Sequence, residues 1–176
     1  MQSLFNDPPV LGFAAYSGTG KTTLLIQLLP ELKAEGLRIG MIKHAHHSFD
    51  VDKPGKDSYE LRKAGAEQML IASQQRWALM RDYSQPREPV LEELIAQLDR
   101  GQLDLILVEG FRSVPFPKIE LHRPSTGNPL LHPRDSSIIA IASDEPLETR
   151  LPVLDLNRTD AILAFVLAWM QQTNDT

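Results

Sequence analysis

From Ala15 to Thr23 the chain reads AYSGTGKTT, and the types and spacing of these residues define a chemistry. Gly18 and Gly20 let successive backbone N–H groups turn toward one point, Lys21 adds a mobile cation, and Thr22 places a hydroxyl within reach of a divalent ion. This is how a loop cradles the phosphates of a nucleoside triphosphate. The first position of the eight-residue fingerprint holds Ala15 where glycine is usual, and a methyl group is tolerated there if φ is negative. A second reactive group is Glu109, which follows the apolar run LDLILV and precedes Gly110. A carboxylate at the end of a parallel strand beside the loop can bind Mg²⁺ directly or through water, completing a shell begun by Thr22. The alternative is a solvated strand-end glutamate. Asp104 reads only as the residue that opens that strand.

A third constellation lies in HAHHSFDVDKPGK, His44 to Lys56. His44, His46 and His47 offer imidazoles to zinc or nickel, yet adjacent His46 and His47 point apart on extended backbone and no cysteine joins them. Asp50 and Asp52 share one side of an extended segment, mixed with Lys53 and Lys56. The segment is placed to close over a nucleotide as a switch, or it is an ordinary solvated charged loop. Asp144, after the apolar run Ile138 to Ala142, could accept hydrogen bonds from the N1 and N2 donors of guanine; equally, Ser143-Asp144 could be a turn before Pro146.

The elements that must position these groups follow from periodicity. Val10 to Ala15 is a strand candidate, and Lys21 to Glu35 a helix with Leu24, Leu25, Leu28, Leu29 and Leu32 at helical spacing; Gly36 closes it, and Pro30 is expected to kink it or mark its last turns. Leu37 to Ile42 supplies the parallel partner of the first strand. A short helix from Asp57 or Ser58 to Ala64 precedes Gly65, and Met69 to Ala72 and Trp77 to Met80 flank SQQR as a hairpin. Pro89 to Arg100 is expected to be an amphipathic helix, Leu103 to Val108 a buried strand, and Lys118 to His122, Ile138 to Ala142 and Val153 to Leu156 further strands. RPSTGNPLLHPRD reads as an exposed excursion, and Thr159 to Gln172 as a closing helix. The alternation predicts an α/β fold of three layers: a mostly parallel central sheet with an antiparallel excursion and helices on both faces, in one domain over 1–176.

Composition narrows the class. With 176 residues, 42% hydrophobic and 23% charged, the chain can bury one core. A net charge of −5 argues against nucleic acid or anionic lipid as the main partner, and zero cysteines leave only oxygen and imidazole as metal ligands. MQSLFNDPPV carries no basic or apolar leader pattern and no run is long enough to span a membrane, so the expected address is the cytoplasm.

GTGKTT, KHAHHSFDVDKPGKDSYELRKAGA, SQQRWALM, LDLILVEGFR and IAIASDEP together resemble the molybdopterin-guanine dinucleotide biosynthesis protein B (MobB) family of P-loop NTPases, over nearly the whole chain. Val108-Glu109-Gly110 is also similar to the metal-binding segment of dethiobiotin synthetase. The resemblance implies a cytoplasmic, homodimeric GTP-binding adaptor with weak GTPase activity, assisting the guanylyltransferase that converts molybdopterin cofactor to its guanine dinucleotide. Molybdopterin itself and molybdoenzyme-maturation proteins are further partners it brings into view. Carried over by residue, Ser17, Gly18, Thr19, Gly20, Lys21, Thr22 and Thr23 contact the nucleotide, Thr22 and Glu109 lie near Mg²⁺, and Asp50 or Asp52 is a further metal-side candidate. Two competing readings use the same residues: a small-molecule kinase or synthetase with its acceptor held by the 44–56 loop, and a metallochaperone GTPase built on the three histidines.

Overall fold

In a computed structural model of the chain, residues 4–45 and 49–174 are described. His46 and His47 lie outside them. The chain forms two compact units, one made of Met1–His44 with Val90–Thr176 and the other of Ala45–Pro89.

The larger unit is organised by strands β1 (Val10–Ala14), β2 (Ile39–Lys43), β5 (Leu105–Glu109), β6 (Lys118–His122), β7 (Ile138–Ser143) and β8 (Val153–Asp155). They form one sheet in the order β2-β5-β1-β6-β7-β8, with every pair parallel. Every residue of β1, VLGFA, and of β5, LILVE, is buried, because a central parallel strand is covered on both faces. Alternate side chains then serve two cores. Leu11, Phe13, Leu105 and Leu107 pack with Leu24, Leu25, Leu28 and Leu32 of helix α1 (Lys21–Ala34) and with Ile162, Val166 and Met170 of helix α4 (Thr159–Asn174). Val10, Ile106 and Val108 pack on the opposite side with Leu91 and Ile95 of helix α3 (Leu91–Ile95) and with Phe111 and Phe116. Helices thus cover both faces, as the alternation of elements predicts.

Pro30 falls in the last turns of α1, as expected: the helix ends at Ala34, and Gly36, at φ +84°, turns the chain out. Two expectations change. Strand β2 pairs with β5 and not with β1, because β5 lies between them. The helix expected over 89–100 is much shorter, because after Ile95 the chain tightens: the N–H of Gln97 donates to Leu94 and that of Leu98 to Ile95. Leu98 and Leu103 still pack against the second core, so the apolar spacing is satisfied by a short helix followed by turns.

Asp104 does more than open β5. Its carboxylate accepts from the Arg38 backbone N–H at 2.8 Å, from Nε at 2.9 Å and from Nη2 at 2.7 Å, tying the beginnings of β2 and β5 together. In the smaller unit, α2 (Asp57–Lys63) is followed by the antiparallel hairpin of β3 (Gln68–Ala72) and β4 (Trp77–Arg81), closed where the Ser73 N–H donates to the Arg76 carbonyl at 2.8 Å.

Candidate functional site

Strands β5, β1, β6 and β7 are consecutive and parallel, so their C-terminal ends deliver residues to one edge of the sheet. The glycine-rich loop follows β1, Glu109 ends β5, Arg123 follows β6 and Asp144 follows β7.

The loop owes its path to Gly18 at φ +78° and Gly20 at φ +99°, the latter standing at the N-terminus of α1. Nothing lies within 4 Å of a Cβ built on Gly18, so conformation alone requires glycine there. Thr19 is buried, and its hydroxyl donates to the Tyr16 carbonyl at 3.0 Å. Lys21 bends back over the loop and its ammonium donates to the carbonyls of Ala15 at 3.0 Å and Tyr16 at 3.1 Å. Phe111 is the one non-glycine residue at positive φ among those described, so Ala15 carries its methyl group on ordinary backbone. Ser17 and Thr23 are exposed at either end of this segment.

Thr22 and Glu109 meet. The Thr22 hydroxyl donates to Glu109 Oε1 at 3.1 Å, while Lys43 Nζ stands 3.3 Å from Oε2. Lys43 is the register partner of Glu109 across β2 and β5, a pairing legible only once the strands are aligned. The Arg112 guanidinium lies 5.0 Å from the centre of the Tyr16 ring. Burial pushes the Lys21 ammonium below the usual lysine range; Glu109 opposes this, and Arg112 and Lys43 add to it. A site with this balance of charge suits a polyphosphate. Two hard oxygen donors, Thr22 Oγ1 and Glu109 Oε1, within hydrogen-bond distance of each other also fit Mg²⁺, which takes few protein ligands and keeps several waters.

Behind Glu109 the backbone is unusual. Gly110 has φ +102°, and a Cβ there would stand 2.6 Å from His44 Cβ; Phe111 follows at φ +51° with its ring stacked on His44, centroids 4.7 Å apart. The His44 N–H donates to the Glu109 carbonyl at 2.8 Å. His44 therefore packs against the strand end that presents the carboxylate.

Asp144 is held by a residue that the sequence did not single out. Arg123 Nη1 donates to Asp144 Oδ2 at 2.5 Å, and Arg123 Nε donates to the Thr19 carbonyl of the glycine-rich loop at 3.1 Å. The signal for Arg123 was its place directly after the strand KIELH, one strand from the loop. Asp50 and Asp52 belong to the smaller unit, where both meet an arginine. Buried Arg62 donates through Nη2 to both, at 2.7 Å each, and through Nη1 to Asp82 at 3.0 Å. The hydrogen bond from Arg62 holds Asp52 below the usual carboxylate range against the opposing effect of burial. One guanidinium thus faces three carboxylates, and Asp52 Oδ2 is buried without a hydrogen-bond partner among the described residues. Among the described residues, no group of three or more His, Cys, Asp or Glu is arranged to hold a metal ion, and no helix is long and apolar enough to cross a membrane.

A family model for molybdopterin guanine dinucleotide synthesis protein B, MobB, matches residues 10–144, which include every element of the site. The chain belongs to the MobB family. It is similar to the molybdopterin-guanine dinucleotide biosynthesis adapter protein of Escherichia coli (strain K12), 53% identical over 167 residues that cover 94% of this chain and 95% of that protein. It is also similar to the adapter protein of the same name from Haemophilus influenzae, 45% identical over 165 residues, with 94% and 91% covered. Among solved structures, a crystal structure of molybdopterin-guanine biosynthesis protein B superimposes with a TM-score of 0.72 at 25% identity, covering 91% of this chain and 99% of that one. The MobB fold, a P-loop arrangement with a parallel sheet and a separate small antiparallel one, is the fold expected from the glycine-rich loop and the order of elements.

Proposed function

We propose that this MobB-family chain is a GTP-binding adapter that assists a guanylyltransferase in converting molybdopterin cofactor to molybdopterin guanine dinucleotide. The observation that carries the nucleotide part is the meeting of Thr22 and Glu109 at 3.1 Å behind the loop of Lys21. Ser17 to Thr23 would hold the phosphates, with Thr22 and Glu109 as the metal ligands. Mg²⁺ bound there would neutralise charge on the outer phosphate oxygens. The carboxylate of Glu109 is engaged by Thr22 and Lys43, which suits it to hold a cation more than to take a proton from water. That favours weak hydrolysis and an output made through protein contact.

Guanine selectivity is assigned to Asp144, whose Oδ1 is buried without a hydrogen-bond partner among the described residues. The guanylyltransferase partner and the cytoplasmic setting rest on the family, in which the Escherichia coli relative bears the name of an adapter. A homodimer has a surface ready in the hairpin, where Leu70 opposes Leu79 and Trp77 opposes Ala72 on one face, with Leu70 58%, Trp77 63% and Leu79 43% exposed.

Calorimetry of GTP and ATP with Mg²⁺, on the wild type and on Lys21→Ala, followed by a pull-down with the guanylyltransferase, tests the reading. It expects a GTP preference, loss of binding in the variant, and capture of the partner. An ATP preference, or GTP binding indifferent to Lys21, would overturn the role of the loop, and rapid phosphoryl transfer to a small acceptor would replace the adapter by a kinase.

A further inference from the structure

Arg123 occupies a position that the nucleotide reading leaves without a task. Its side chain is about one-third exposed at 32%. Nη1 donates to Asp144 Oδ2 and Nε to the Thr19 carbonyl. The remaining nitrogen, Nη2, lies 3.9 Å from where a Cβ on Gly20 would be. One planar cation thus bridges the residue after β7 to Thr19 of the glycine-rich loop and stands beside Gly20. A guanidinium presents its donors in a fixed fork, so the carboxylate it grips on one side and the carbonyl it grips on the other are held in a set relation.

The consequence for Asp144 is specific. A carboxylate at a chain end swings about two side-chain torsions, but with Oδ2 taken by Arg123 its second oxygen is directed. Oδ1 is buried and has no hydrogen-bond partner among the described residues. A buried carboxylate oxygen without a donor is costly, and an N–H donor on a bound ligand relieves that cost. The N–H donors on the edge of a guanine ring are of this kind, and a ring lacking them leaves Oδ1 as it was.

We propose that Arg123 is a positioning residue for base selectivity: by gripping Asp144 and the Thr19 carbonyl together, it aims one oxygen of Asp144 at the base and sets it at a fixed distance from the phosphate loop. The inference rests on the nucleotide reading above. Arg123 itself acts through Asp144 and Thr19, and lysine cannot replace it, because a single ammonium on a flexible stem keeps the charge while losing the fork.

The test compares GTP, ITP and inorganic tripolyphosphate on the full chain, for the wild type, Arg123→Lys, Asp144→Asn and the double variant, with thermal melts to establish that each is folded. ITP keeps N1–H and lacks only the exocyclic amino group, so the GTP to ITP affinity ratio reads the contact from that amino group to Asp144, whereas tripolyphosphate reads the loop alone. The wild type is expected to favour GTP by about tenfold, the scale of one hydrogen bond to a charged group. Both single variants should bring the ratio close to one, the double variant should add nothing further, and GTP affinity should fall more than tripolyphosphate affinity. A wild-type ratio retained in Arg123→Lys, or equal losses for GTP and tripolyphosphate, would overturn the positioning role. Arg123 would then be a phosphate contact or a structural tie. A wild type that binds none of the three in a Lys21-dependent manner overturns the nucleotide reading itself, a result distinct from either.

Discussion

Thr22 and Glu109, 87 residues apart in the chain, share a hydrogen bond of 3.1 Å because the first turn of α1 and the end of β5 converge on the same edge of a parallel sheet. If this pair holds Mg²⁺, Thr22→Val, which keeps the shape and removes the hydroxyl, should abolish most of the Mg²⁺ enhancement of nucleotide binding. The expected loss is about tenfold in affinity, with titrations in Mg²⁺ and in EDTA converging on one value. Glu109→Gln should behave alike and also release Lys43. An undiminished Mg²⁺ effect in both variants would remove the pair from the metal site.

Lys21 carries a pH signature. Burial lowers its ammonium from the ordinary lysine value, and the phosphates need the charged form. Affinity for tripolyphosphate should therefore begin to fall on the alkaline side before an ordinary lysine would lose its proton. Lys21→Arg, permanently charged, should flatten that part of the profile. A wild-type profile as flat as that of the arginine variant would count against the assignment.

Asp104 gives an acid-side test. The hydrogen bonds from the Arg38 side chain, then from its backbone, hold the carboxyl down to about 2. The folded value lies below the unfolded one of about 3.9, so the stabilisation is complete above that value and fades as pH falls toward 2. In urea titrations Asp104→Asn should cost stability at neutral pH, and its deficit should shrink between about pH 4 and pH 2. A deficit that is constant over this range would mean that the charge is not what matters.

Gly12 tests packing at the centre of the sheet. A Cβ there would stand 2.6 Å from Lys118 Cγ and 2.7 Å from the ring of Phe116, both in buried residues. Lys118 is further held by the Val114 carbonyl at 2.5 Å and by Asp135 at 3.0 Å, so it cannot step aside cheaply. Gly12→Ala is expected to cost about 1–3 kcal/mol in chemical denaturation, the usual penalty for overpacking. A variant as stable as the wild type would show that this layer has room to relax.

The hairpin offers a test of assembly. If the chain dimerises through this face, Leu79→Arg, which places a charge beside Leu70 on it, should yield a monomer in light scattering while leaving the melting temperature of the chain nearly unchanged. Dimers that persist in this variant would place the interface elsewhere.

Much of the frame was legible because its signals are local. VLGFA and LILV are continuous apolar runs between turn signals, the leucines of α1 repeat at helical spacing, and Gly18 and Gly20 sit where positive φ is needed. The shortened α3 was not legible, since helical spacing of apolar residues is met equally well by one turn of helix and the tight turns after it. Nor was the contact of Arg62 with both Asp50 and Asp52, because acidic spacing alone does not reveal which side chain further along the chain will fold back onto it.

By itself the sequence determined the glycine-rich loop between strand and helix, the carboxylate at the end of LDLILVE, the alternation of an α/β fold and the likeness to one family, since each is written in neighbouring residues. Only the tertiary structure decided which distant groups meet. Lys43 came beside Glu109 through strand register, and Arg123 came to bridge Thr19 and Asp144 through the order β1-β6-β7. The physical reason is that a side chain's partners are set by which strands lie side by side, and strand order is a property of the packed core as a whole.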